Sequence, residues 1–170
     1  MEPILQEGKD VLILAFSSGL SSTYQASVLA VGDLREKYPD RKIYTVDTLC
    51  ASLGQGLLVY LCAQHKQAGK SLEELRDYAE ATKGSVCHWF TVDDLMYLKR
   101  GGRLGGGAAV VGTLLGLKPV LHVDDEGRLI TMHKVPRRPA SLGGPLKPSR
   151  PRHGPPHTPA VVRNHRALRG

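Results

Sequence analysis

No apolar run in this 170-residue chain approaches the ~18 consecutive residues a membrane-spanning helix needs. Its three cysteines, Cys50, Cys62 and Cys87, form no C-x-x-C pair and are odd in number. That argues against a disulfide framework and for reduced, buried thiols. No His/Cys/acid cluster has ligand spacing, so no metal and no cofactor are expected. The opening MEPILQEGKD has no basic stretch followed by an apolar one, so no signal peptide is read and a cytoplasmic location is expected. Acidic residues are lacking altogether after position 136: residues 137–170 hold eight Lys or Arg and no Asp or Glu, against 15 and 16 in residues 1–136. The net charge of +7 therefore belongs to the tail, and the rest of the chain is near neutral.

That tail also holds seven of the eleven prolines. Proline at this density removes backbone donors and blocks helices and sheet ladders, so residues 137–170 are expected to be disordered. A basic arm for nucleic acid or anionic lipid is the functional alternative. The tail has no aromatic residues for base stacking and its cations are dispersed, so it reads better as a segment without a selected role, such as read-through in a shifted frame.

Residues 1–136 alternate strand and helix patterns. VLILAF, residues 11–16, is a strand covered on both faces. A helix is expected over 23–38, with Ser22 and Gln25 as a capping box and an apolar stripe of Ala26, Leu29, Ala30 and Leu34. Residues 42–46 form a second strand ending at Asp47 and Thr48. Residues 51–67 form a buried helix, in which Gly54 and Gly56 are expected to serve close packing and which Gly69 ends. Ser71 and Glu74 open a surface helix. Residues 86–92 form a third strand, 93–99 a short helix with Gly101 following its end, 108–115 an apolar helix, and 118–123 with 128–135 a hairpin turning at Gly127. The expected fold is α/β: a mainly parallel sheet flanked by helices over residues 1–116, and the opening hairpin of a second α/β domain over 117–136.

Two loops are candidates for chemistry. Ser17, Ser18 and Gly19 stand where a buried strand gives way to a helix, the position at which open α/β sheets bind ligands. Unpaired amides and the positive end of the helix dipole are expected there, and they suit a carboxylate or phosphate. Ser21 and Ser22 read as capping residues. A serine nucleophile at Ser18, in a hydrolase or transferase, lacks the G-x-S-x-G elbow, and none of His65, His88, His122 and His133 stands out as its base. The second loop, residues 99–107, is glycine-rich and is neither a Walker A nor a G-x-G-x-x-G motif. Arg103 there offers a bidentate donor to an anion, and the alternative is a flexible turn with solvated cations. The residues alone leave these two readings level.

Four segments in order, VLILAFSSGLSSTYQA, IYTVDTLCASLGQGLLV, FTVDDLMYLKRGGRL and VGTLLGLKPVLHVDDEGRL, closely resemble the DegV family over residues 4–136. The resemblance implies a two-domain α/β fold with a long-chain fatty acid in a tunnel between the domains. It implies a lipid-binding carrier, no enzyme, that presents the acid to a separate fatty acid kinase related to dihydroxyacetone kinase, which makes acyl phosphate for phospholipid synthesis. Ser17, Ser18 and Gly19 match the loop that meets the carboxylate. Gly102 and Arg103 match the GGR motif near the head group and the kinase-facing surface. Three features depart from the family pattern: no T-S-Q-P-S-like segment precedes the serine loop, position 22 is serine where glycine is usual, and the match ends near Val135, before most of the second domain.

Overall fold

The structure, a computed structural model, describes residues 1–92, 95–104, 118–135 and 160–164. In chain order these form α1 (Glu2–Gln6), β1 (Val11–Ala15), α2 (Thr23–Lys37), β2 (Ile43–Asp47), α3 (Ser52–Gln67), α4 (Leu72–Lys83), β3 (Val86–Phe90), α5 (Leu95–Arg100), β4 (Lys118–Val123), β5 (Leu129–Val135) and β6 (Ala160–Asn164). The fold is α/β with mixed sheets: β1 and β2 pair in parallel, and a second sheet has the order β5-β4-β3-β6.

The β1–β2 sheet is covered on both faces, as its unbroken apolar run demands. Val11, Ile13 and Ile43 meet Leu5 of α1 and Val31 and Leu34 of α2. Leu12, Leu14 and Val46 meet Leu58 and Cys62 of α3 and Tyr78 and Ala79 of α4. The face of α2 differs from the expected stripe: Ser27 and Val31 are buried, whereas Leu29 is 72% exposed. A polar contact sets this rotation, because Ser27 Oγ lies 2.7 Å from Thr45 Oγ1 of β2 and donates to the Tyr24 carbonyl. In α3 only the Gly54–Leu58–Cys62 line is buried, and Leu53, Val59 and Tyr60 are exposed, so this helix is amphipathic and not buried all round. All three cysteines are buried, and burial pushes the Cys62 thiol up.

The two expected capping boxes part company. Ser22 has φ −75° and ψ 6° and makes no side-chain cap; Ser21 Oγ instead accepts the Thr23 amide at 3.2 Å. Ser71, at ψ 164°, has the extended backbone a cap needs, and both bonds of its box with Glu74 form. The Lys70 ammonium, with the Ser71 amide, holds the Glu74 carboxyl at about 2, below its ordinary 4.5. A carboxyl depressed in the folded state stabilises above its unfolded pKa and loses that contribution as pH falls. Glu74→Gln should therefore flatten the decline of stability between pH 4.5 and about 2, read by urea titration at several pH values. An unchanged slope would show that this cap contributes nothing through charge.

The third strand leaves the place expected for it. β3 does not join β1 and β2; it pairs antiparallel with β4, Trp89 opposite His122 and Phe90 opposite Leu121, and parallel with β6. Among the described residues the parallel β1–β2 sheet thus has two strands, and β3 shares its sheet with the hairpin strands β4 and β5. Apolar alternation marks a strand without specifying its partner, which is why the sequence misplaced it. β6 interrupts the tail expected to be disordered; its AVV run is proline-free and β-branched, hence strand-compatible. The remainder of that tail, Asp93, Asp94 and the expected helix over 108–115 lie outside the described residues. Gly127 takes φ +75° at the hairpin turn, as expected, and after α5 the left-handed residue is Gly102, φ +69°, in place of Gly101.

Candidate functional site

The carboxyl ends of β1 and β2 and the β4–β5 turn converge on the serine loop. Asp47, the last residue of β2, organises it: one carboxylate oxygen accepts the amides of Ser18 and Leu49, both at 3.1 Å. The Ser17 amide donates to the Cys50 carbonyl, and the amides of Leu20 and Ser21 donate to the Ser17 carbonyl. The Gly19 amide donates to Ser17 Oγ at 3.2 Å. The amides expected to be unpaired in this loop are therefore engaged from Ser17 to Ser21, by Cys50 and Asp47 and by Ser17 itself. What the loop still offers a ligand is side-chain hydroxyl, foremost that of the half-buried Ser18.

Ser17 is fully buried and donates its hydroxyl proton to the Gly127 carbonyl at 2.7 Å. Gly19 is pressed against the same turn: a Cβ there would lie 2.5 Å from the Glu126 carbonyl oxygen. The turn itself is stiff. Asp124 accepts the Glu126 and Arg128 amides and the Arg128 guanidinium; burial works against its charge, but these bonds prevail and hold its carboxyl below the ordinary value.

Beside the loop lies a cavity of about 430 Å³, within the roughly 300–1,000 Å³ of small-molecule sites. Its walls are mostly apolar: Phe16 and Leu20 from the β1–α2 junction, Trp89 and Phe90 from β3, Val123 and Leu129 from the hairpin. Ser21, Ser52, His88 and Arg103 supply polar groups. Arg103 is exposed at the edge, its Nε donating to the Leu20 carbonyl at 3.2 Å and its Nη1 to the Gly101 carbonyl. Leu20 and Ser21 of the serine loop are wall residues and Ser17, Ser18 and Gly19 are not; Arg103 is one, and Gly102 is exposed next to it.

Of the histidines, His88 is buried in the cavity wall over Gly54, His122 Nδ1 lies 2.8 Å from the His88 carbonyl oxygen with its ring stacked on Trp89, and His65 packs on Tyr78. The His133 side chain lies outside the described residues. Among the described residues no group of His, Cys, Asp and Glu could hold a metal, and no helix is long and apolar enough to cross a membrane. Sequence reasoning missed the roles of Asp47 and His88. An acid at the carboxyl end of a parallel strand beside a serine loop was the available signal for the first; none existed for the second.

Comparison with known proteins gives a consistent picture. The family model described as "Uncharacterised protein, DegV family" matches residues 1–143. A DegV domain-containing protein of Clostridium perfringens is 50% identical over 141 residues, 83% of this chain and 48% of that protein. One of Streptococcus pyogenes is 45% identical over 130 residues, 76% of this chain and 46% of the relative. This chain thus spans about half the length of the curated relatives it matches. Among solved structures, a stearic acid-binding protein from Eubacterium ventriosum superposes with TM-score 0.74 at 29% identity, covering 82% of this chain and 47% of that one. A fatty acid-binding DegV family protein from Thermus thermophilus gives 0.70 at 37% identity, covering 83% and 48%.

Proposed function

This chain belongs to the DegV family, and from that premise we propose that it binds a long-chain fatty acid. The acyl chain occupies the apolar cavity and the carboxylate lies toward the Ser17, Ser18 and Gly19 loop, where Ser18 donates its hydroxyl. The observation that carries this reading is the cavity itself: an apolar hollow abutting the serine loop, with a guanidinium at its edge. Solved relatives described as binding fatty acids support it. Apolar walls favour the hydrocarbon by burial, while a few placed donors fix the orientation of the head. No group here is assigned a catalytic role.

The bound acid is then presented to a separate fatty acid kinase related to dihydroxyacetone kinase. Support for this step is positional: Gly102 and Arg103 are exposed beside the cavity, where a partner enzyme can reach the head group.

Native mass spectrometry of the purified chain tests the binding. A mass increment matching a linear fatty acid, released by organic solvent and displaced by added stearic acid, is the expected result. A chain that neither carries nor takes up stearic acid refutes the reading.

A further inference from the structure

We infer that Ser17 is a positioning residue, a clasp that holds the β4–β5 turn on the serine loop and so sets one wall of the cavity, a task distinct from the one proposed above for Ser18. The assignment to Ser18 rests on the fatty-acid reading above; the clasp does not.

A serine hydroxyl has one proton to give. That of Ser17 goes to the Gly127 carbonyl, and its oxygen accepts the Gly19 amide; the Ser17 side chain itself has no exposed surface. The contact is close on both sides. A Cβ at Gly127 would fall 2.1 Å from Ser17 Oγ, and one at Gly19 would fall 2.9 Å from the Gly127 carbonyl carbon. Only hydrogen fits at either position. The turn so gripped joins the ends of two strands whose Val123 and Leu129 are buried, line the cavity and pack with Leu20 of the serine loop. Releasing the clasp therefore loosens a wall, and every occupant of the cavity feels it. Ser18 stands differently. Its amide is tied to Asp47, its side chain is half-buried, and its hydroxyl makes no hydrogen bond with a described residue.

The two roles separate in one set of measurements on the full chain, with Ser17→Ala and Ser18→Ala. Hydrogen exchange without ligand reads the clasp. The turn amides of Asp124 and Gly127 should exchange about tenfold faster in Ser17→Ala, the effect of one lost buried hydrogen bond, and unchanged in Ser18→Ala. Binding of stearic acid and of stearyl alcohol reads the site. Ser17→Ala should weaken both by the same factor, since a wall does not distinguish head groups. Ser18→Ala should weaken the acid about fivefold more than the alcohol, as a hydrogen bond to a charged group is the stronger. Unchanged turn exchange in Ser17→Ala overturns the clasp, and so does a loss confined to the acid. Equal losses of acid and alcohol in Ser18→Ala overturn its assignment. If the parent chain binds neither ligand, the fatty-acid reading and the Ser18 assignment fall together, and the exchange data still decide the clasp. Should Ser17→Ala not fold, Ser17→Cys replaces it: the thiol is a weaker donor, so turn exchange must still rise, and no rise overturns the clasp.

Discussion

Gly54→Ala will destabilise this chain while Gly56→Ala, two residues along the same helix, will stabilise it. Alanine exceeds glycine in helix propensity by about 0.8–1 kcal/mol, and that gain applies at both sites. At Gly56 nothing opposes it, because an added Cβ meets no atom within 4 Å. At Gly54 the same Cβ would lie 1.6 Å from His88 Nε2 and 1.7 Å from His88 Cδ2. The imidazole cannot step aside freely: His88 is 5% exposed in β3, held between β4 and β6. Overpacking of this kind typically costs about 1–3 kcal/mol and outweighs the helix gain. Urea denaturation reads both variants as shifts of the midpoint at unchanged slope. In a His88→Ala background the penalty at Gly54 should vanish, because the clash needs both partners. A Gly54→Ala midpoint equal to or above that of Gly56→Ala would show that the ring does not occupy this space. Because His88 is also a wall residue, the displaced imidazole should enter the cavity and weaken stearic acid binding in the same variant.

Gly19→Ala will separate the serine loop from the hairpin. Here the atoms in the way are backbone, the Glu126 carbonyl oxygen at 2.5 Å and the Gly127 carbonyl carbon at 2.9 Å, so no side-chain rotation relieves the contact. Either the loop or the turn must move. The turn is braced by Asp124 and Arg128, the loop by Asp47 and by the Cys50 carbonyl. Moving two braced segments apart breaks the Ser17–Gly127 bond and lifts Val123 and Leu129 from Leu20. The expected loss of stability is about 1–3 kcal/mol. Affinity for stearic acid should fall about tenfold if distortion of the wall removes some 1.4 kcal/mol of binding. Isothermal titration of a variant shown to be folded checks this. Wild-type affinity in Gly19→Ala would mean that the hairpin is not part of the binding wall.

Several features of this protein were legible in its residues because they depend on neighbours in the chain. The apolar run of β1 announced a strand covered on both faces. Ser71 and Glu74 announced a helix start, since both partners of that box lie within one turn. Gly127, between two β-branched strands, announced the left-handed turn residue. The serine loop stood out because a strand, two hydroxyls, a glycine and a helix follow one another there, and the family resemblance rested on four such segments in order. Other features depend on what arrives from far along the chain. The stripe of α2 was misjudged because a hydroxyl pair, Ser27 with Thr45, turned the helix away from its most apolar line. Gly54 and Gly56 looked alike in sequence, and only the approach of His88, 34 positions away, distinguishes them.

Local pattern thus indicated most of the described helices and strands and the hairpin turn, because those preferences are decided within a few residues by periodicity, capping and allowed dihedral angles. The tertiary structure alone decided that β3 joins the hairpin, that the loop amides are satisfied by protein acceptors, and that Ser17 is buried against the hairpin turn while Ser18, adjacent and chemically identical, is half-buried. Strand partners, hydrogen-bond accounts and steric room depend on atoms distant in sequence, and no window of neighbouring residues carries that information.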